Sequence, residues 1–167
     1  MTFDGQWSVV GGQWRTHAEQ SAAAVRLLGQ LLGHEVVVEH DSHGAPYLPQ
    51  YPNLHISISH CRTAVAVAFS INGPVGIDIE SRRHINPSLI ERVCTPDEFD
   101  AIQHSEDPEM AFLQLWTRKE AVLKCHGTGI QGFGSMVNAL SAKDCEVNEI
   151  VCDLPDTVAA LAFATAG

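Results

Sequence analysis

The chain has 167 residues, 45% hydrophobic and 18% charged, enough for one domain with a core or for two small lobes that share one. Twenty acidic side chains against ten basic ones give a net charge of −10, which opposes attraction to nucleic acids and anionic membranes. No stretch approaches the ~20 consecutive apolar residues of a membrane span. Met1 to Gln6 lacks a basic, apolar leader, so the expectation is a cytoplasmic protein with no nucleic acid or membrane as partner. The five cysteines contain no C-x-x-C pair, and an odd number argues for free thiols rather than a disulfide framework. His40-x-x-His43 lacks the further cysteine or carboxylate that a tetrahedral zinc site needs.

In chain order, Trp7 to Val10 predicts a strand ended by Gly11-Gly12. His17 to Leu32 predicts a helix, with Ala24, Leu27, Leu28, Leu31 and Leu32 at helical spacing and Gly33 as its stop. Glu35 to Glu39, which contains Val36-Val37-Val38, predicts another strand, and the glycine and prolines between Ser42 and Pro49 predict a loop or an edge extension. His55 to His60 alternates as a half-buried strand, and Ala64 to Ser70 reads as a strand buried on both faces. Asn72-Gly73-Pro74 turns into the strand Val75 to Glu80, so these three strands are expected to form a meander. Pro87 and the capping box Thr95-Pro96-Asp97-Glu98 open two short helices. A long helix runs from Pro108 to the Gly127 and Gly129 stops. Ser135 to Leu140, Glu146 to Val151 and Thr157 to Ala164 are further strand candidates. Ala159 to Ala164 echoes Val65 to Ser70, which predicts an α+β fold of two similar lobes. Each lobe is a small, mostly antiparallel sheet on a helix, one spanning 1–73 and the other 74–167.

Three segments carry chemistry. Ser59-His60 ends a strand. Asp78 and Glu80 share a strand face ~7 Å apart, a negative pair that a hard cation would neutralise. Trp116, Glu120 and Lys124 line one stripe of the long helix, with Lys119 beside it, which places a carboxylate among amines as phosphoryl-type transfer needs. Taken alone, Glu120 and Lys124 are also the ordinary i,i+4 helix pair, and Arg26 an ordinary solvated arginine.

Together the segments resemble the 4′-phosphopantetheinyl transferases of the longer, two-lobed type. The matching text is Gly44-Ala45-Pro46-Tyr47-Leu48-Pro49, Ile56-Ser57-Ile58-Ser59-His60, Val75-Gly76-Ile77-Asp78-Ile79-Glu80, and Trp116 to Lys124 followed by Gly127-Thr128-Gly129-Ile130. The resemblance implies transfer of the phosphopantetheine arm of coenzyme A to a serine of an apo carrier protein, releasing adenosine 3′,5′-bisphosphate. It also implies Mg²⁺ on Asp78, Glu80 and Glu120, and catalysis by Glu120, Lys124 and His60. Contacts to coenzyme A would come from Arg26, Ser59, His60, Lys119 and Lys124. A homologue that binds coenzyme A or a carrier without transfer is the alternative. Two departures stand out: Ala45 occupies a position that is usually lysine, and only 25 residues precede Arg26. Arg82, Arg83 and Arg118 are expected to offer an acidic carrier a local basic patch, and the monomer is the default state, with a dimer left open.

Overall fold

The computed structural model describes residues 4–128 and 133–165. In chain order the elements are β1 (Gly5–Gly11), α1 (His17–Leu32), β2 (Glu39–His40), β3 (Pro46–Tyr47), β4 (His55–Cys61), β5 (Ala64–Ser70), β6 (Val75–Ser81), α2 (Pro87–Val93), α3 (Pro96–Gln103), α4 (Pro108–His126), α5 (Phe133–Val137), β7 (Cys145–Ile150) and β8 (Thr157–Ala164). The fold is α+β. One antiparallel sheet has the order β1-β5-β4 and packs on α1; the other has the order β6-β8-β7 and packs on α4. The two echoing segments are the central strands of the two sheets, which is why both are nearly all small and apolar.

Local chemistry accounts for the helices. Thr16 and Glu19 form a capping box at the start of α1, and Gly33 closes it at φ +81°, a left-handed turn that favours glycine. Its buried stripe of Ala23, Ala24, Leu27 and Leu28 meets Ile56, Val65, Val67 and Phe69 of the first sheet. Thr95 and Glu98 cap α3 in the same reciprocal way, Asn86 caps α2, and Gly127 ends α4 at φ +69°. Between the sheets, Ala64, Ala66 and Ala68 pack on Val75, Ile77, Ile79, Leu161 and Phe163, so the lobes share this core.

Three expectations change. The meander does not form: β6 pairs with β8, Ile77 facing Leu161, and its free edge turns toward β4. Of Glu35 to Glu39 only Glu39 falls in a strand, and Val36 to Val38 join no ladder among the described residues. Val36 is buried beneath α1 and Val38 lies against the same cluster, while the neighbouring pairing is a short ribbon of β2 and β3. Ser135 to Leu140 is not a strand. It falls on the end of α5 and the start of a 3₁₀ turn over Ala139–Ser141, whose Met136 and Ala139 fill the core formed with α2 and α4. Gly129 and Ile130 of the matching text, and Met1 to Phe3, lie outside the described residues. Among the described residues, no helix is long and apolar enough to cross a membrane.

Candidate active site

The seam between the lobes gathers most of the expected residues. Strand β6 runs alongside β4 in parallel register, and serine hydroxyls take the place of a main-chain ladder. Ile77 N–H donates to Ser57 Oγ at 3.0 Å, and Ile79 N–H donates to Ser59 Oγ at 3.3 Å. On the opposite side of β6, Gly76 lets α4 come close: a Cβ there would stand 2.0 Å from the Ala121 carbonyl oxygen. This approach brings the Glu120–Lys124 stripe of α4 to the polar face of β6.

Asp78 is buried, and its Oδ1 accepts from Ser59 Oγ at 2.8 Å and from Lys124 Nζ at 2.8 Å. Lys124 also donates to the Ile77 carbonyl at 3.1 Å. The other oxygen, Asp78 Oδ2, is buried with no hydrogen-bond partner, and so is Glu120 Oε1. Buried polar atoms are almost always paired, so two partnerless carboxylate oxygens in one site form a pair that a cation would satisfy. Burial first, then the charge of Asp78, pushes the Glu120 carboxyl up to about 7, against the opposing pull of Lys124. Burial and Asp78 likewise raise Glu80, while Arg83 lowers it again through a contact of 3.4 Å.

These hard oxygens fit Mg²⁺, which takes one or two carboxylates and completes its shell with water and substrate phosphates. Among the described residues, no group of three or more His, Cys, Asp or Glu side chains is arranged so that it could hold a metal ion, so Asp78, Glu80 and Glu120 are not a complete ligand set by themselves. Glu80, drawn toward Arg83, is the outermost of the three carboxylates: its side chain is 20% exposed against 8% for Asp78.

His60 sits at the end of β4 with its Nε2 3.2 Å from Nε2 of His17, the rings edge to face. Desolvation first, then the nearby His17 and Lys124, holds its imidazole below the usual histidine value. His17 is the residue that sequence reasoning missed. It stands in the first turn of α1, and Gln20 Nε2 ties that turn to the Cys61 carbonyl at 3.0 Å. The available signal was the exposed histidine directly after a helix cap, read there only as a helix start.

Two expected residues are not brought together with the rest. Arg26 lies nine residues beyond His17 on α1, roughly 13 Å along the axis, where it borders an open groove with Gly29, Gly33 and Val36. Lys119 points away from the seam and is fully buried. Its Nζ donates to Glu98 Oε2 at 2.6 Å, to the Val93 carbonyl at 2.7 Å and to the Val137 carbonyl at 2.9 Å. It therefore ties α4 to α2, α3 and α5. Trp116 packs in the same helical layer, 5.9 Å from the ring of Phe112. The proposed basic patch is also largely neutralised, since Arg82 is paired with Asp107, Glu109 and Asp156, and Arg83 with Glu80.

Beside Lys124 a pocket of about 230 Å³ opens between β4 and the loop carrying Ala45, lined also by Gly44, Pro46, Ser57 and Gly127. Ala45 thus lines the same pocket as Lys124 and brings no charge to it.

Comparison with known proteins agrees with this geometry. The family model of the 4′-phosphopantetheinyl transferase superfamily matches residues 74–158, which span β6 to the start of β8 and include Asp78, Glu80, Glu120 and Lys124. A 4′-phosphopantetheinyl transferase of Bacillus pumilus is 33% identical over 124 residues, covering 73% of this chain and 52% of the relative. The 4′-phosphopantetheinyl transferase Sfp of Bacillus subtilis is 28% identical over 117 residues, 69% of this chain and 50% of the relative. A putative 4′-phosphopantetheinyl transferase of Haemophilus influenzae is 37% identical over 92 residues, 52% of this chain and 39% of the relative. The chain spans about half the length of the curated relatives it matches. On the family match, which covers just over half of its residues, the chain belongs to the 4′-phosphopantetheinyl transferase superfamily.

Proposed function

We propose that the protein transfers the 4′-phosphopantetheine arm of coenzyme A to a serine hydroxyl of an apo carrier protein, in a Mg²⁺-dependent reaction that releases adenosine 3′,5′-bisphosphate. The observation that carries this reading is the pair of buried, partnerless oxygens, Asp78 Oδ2 and Glu120 Oε1, set beside a lysine and two histidines. We assign Asp78 and Glu120 as metal ligands, with Glu80 as an outer ligand, direct or through water. Bound there, Mg²⁺ would neutralise the pyrophosphate charge that builds up as the leaving group departs.

The chain's own groups supply the remaining steps. Glu120 takes the proton of the attacking serine, directly or through a water; its carboxyl is pushed up to about 7 in the metal-free site, and Mg²⁺ bound there would lower it and weaken the base. The serine Oγ forms a bond to the β-phosphorus as the bridging P–O bond to the adenosine bisphosphate breaks. Lys124 is half-buried and holds Asp78 in the free site; it turns to a phosphate oxygen when the substrate enters. His60 and His17 add donors on the same side, and the pocket beside Ala45 receives the nucleotide end. Lys119 and Arg26 are left out of this set because of where their side chains lie. One chain supplies both sides of the seam, so a monomer is the working unit. Five free thiols suit a reducing, cytoplasmic setting.

The reading is tested by mixing purified protein with coenzyme A, Mg²⁺ and several apo carrier proteins and measuring intact carrier mass. A gain equal to the phosphopantetheine arm is expected, and no gain on any carrier sinks the proposal. Retained binding of coenzyme A without any gain would instead support a binding homologue, which the uncharged Ala45 favours.

A further inference from the structure

The seam places two serines two residues apart on one face of β4, both buried and both accepting a main-chain N–H from β6. To the seam itself they are equivalent. They differ in where the hydroxyl proton goes: among the described residues, Ser59 alone of the two donates to a carboxylate, Asp78 Oδ1, at 2.8 Å.

From that difference we infer that Ser59 is a positioning residue, which turns the Asp78 carboxylate so that Oδ2 faces the metal position. The inference rests on the Mg²⁺ reading above and deepens it.

A carboxylate can rotate about its last bond and present either oxygen or an edge. Two donors on Oδ1, Ser59 and Lys124, select one rotation and leave Oδ2 buried and open. The two donors are not equally dependable. Lys124 ends a flexible four-carbon stem, is 29% exposed, and is the amine that a phosphate would draw away. The Ser59 hydroxyl is fixed on both sides, by the Ile79 N–H it accepts and the strand that carries it. Once Lys124 moves to substrate, Ser59 is the tether that remains on Oδ1. Hydrogen-bonded partners of metal-binding carboxylates orient them in this way, and losing one weakens metal affinity ~10–100-fold.

The experiment compares Ser59→Ala with Ser57→Ala, using Mn²⁺ as the probe. Free Mn²⁺ is counted by its electron paramagnetic resonance signal during titration of protein without coenzyme A, and each variant is also melted without metal. Both substitutions strip an acceptor from a buried N–H, so both are expected to lower the melting temperature without metal, Ser59→Ala the more because it also removes a donor from Asp78. Only Ser59→Ala is expected to weaken Mn²⁺ binding, by ~10-fold or more, while Ser57→Ala stays within about twofold. Wild-type affinity in Ser59→Ala, or equal weakening in both variants, overturns the positioning role and leaves the metal site standing. A wild-type protein that binds no Mn²⁺ overturns the metal reading, and the positioning role with it. If Ser59→Ala does not fold, Ser59→Cys replaces it; its thiol is a weak donor and is expected to shift affinity in the same direction.

Discussion

Helices α1 and α4 occupy equivalent places, each laid across a three-stranded antiparallel sheet, yet only α4 buries charged side chains. Helix α1 buries Ala23, Ala24, Leu27 and Leu28 and keeps its polar groups outside, as an amphipathic helix does. Helix α4 buries Thr117, Lys119 and Glu120 among its apolar residues. The sheets explain part of the difference. Beneath α4 lies Gly76, whose missing side chain allows backbone-to-backbone approach, and β6 presents Asp78 at the same seam. The lobe unit is thus a packing solution used twice, and chemistry enters only where one copy gives up apolar burial for charges that hold each other. The first lobe still contributes: it supplies Ser59, His60 and His17 to the hydrogen bonds of the seam.

The sharpest way to break this contrast is Glu120→Gln, which removes the charge and the base from α4 while keeping its shape. Transfer to a carrier should fall by ~10²–10⁴-fold, the range of a lost general base, with the circular dichroism spectrum unchanged. Full activity in that variant refutes the role. The next largest effect is on packing. Gly76→Ala sets a methyl 2.0 Å from the Ala121 carbonyl and 2.6 Å from the Cys125 nitrogen, both backbone atoms that cannot swing aside. It should destabilise by about 3 kcal/mol or more in denaturant melts. The matching change in the other lobe, Gly29→Ala on α1, meets only the His34 carbonyl, at 2.9 Å, in the segment after the helix. That oxygen is backbone too, so the segment after the helix must shift; the gain of alanine over glycine in a helix, ~1 kcal/mol, offsets part of the crowding, and a destabilisation of about 1–2 kcal/mol, smaller than at Gly76, is expected. Equal costs at the two glycines would erase the distinction between the helices.

Lys119→Met separates a structural lysine from a substrate lysine. Its ammonium has three protein partners and no exposure, so removing it leaves two carbonyls unmet and the Glu98 carboxylate with the Thr95 N–H but no counter-charge. A loss of about 2–4 kcal/mol in stability is expected, with the KM for coenzyme A unchanged in the folded fraction. A raised KM at unchanged stability would return Lys119 to the substrate.

The same residues mark what the sequence can and cannot express. Capping boxes at Thr16 and Thr95, the left-handed stops at Gly33 and Gly127, and the alternation of β4 and β6 are local signals, and the structure follows them. Strand partners are not local. Nothing near Val75 to Glu80 says that β6 crosses to β8 rather than joining β5, and nothing in the β-branched run at Val36 says that no neighbouring edge is available. Helix phase limits the site in the same way. Spacing puts Lys119 about 100° from Glu120, and this rotation is enough to carry the ammonium into the α2–α3–α5 layer and away from the seam. His17 and His60 are 43 positions apart, and only the docking of α1 on the end of β4 makes them neighbours.

The smallest effect is read in the metal-free protein. Glu120 has its carboxyl raised from an ordinary 4.5 to about 7, so between those values the folded protein holds a proton that the unfolded chain has released. Stability from this group is therefore complete below about 4.5 and lost as the pH rises through about 7. Glu80, also raised, acts in the same sense, and His60, lowered, acts in the opposite one. Both remain in Glu120→Gln, so the difference in melting temperature between wild type and that variant isolates Glu120. Without divalent cation the difference should move against wild type from pH 5 to pH 8 and then level off. With Mg²⁺ present, the ionised carboxylate has its partner, so the slope should flatten or reverse and binding near pH 6 should release a proton. A difference that is flat in pH without metal would mean that Glu120 is as solvated as an ordinary surface carboxylate. The contrast with the apolar α1 would then lose its electrostatic half.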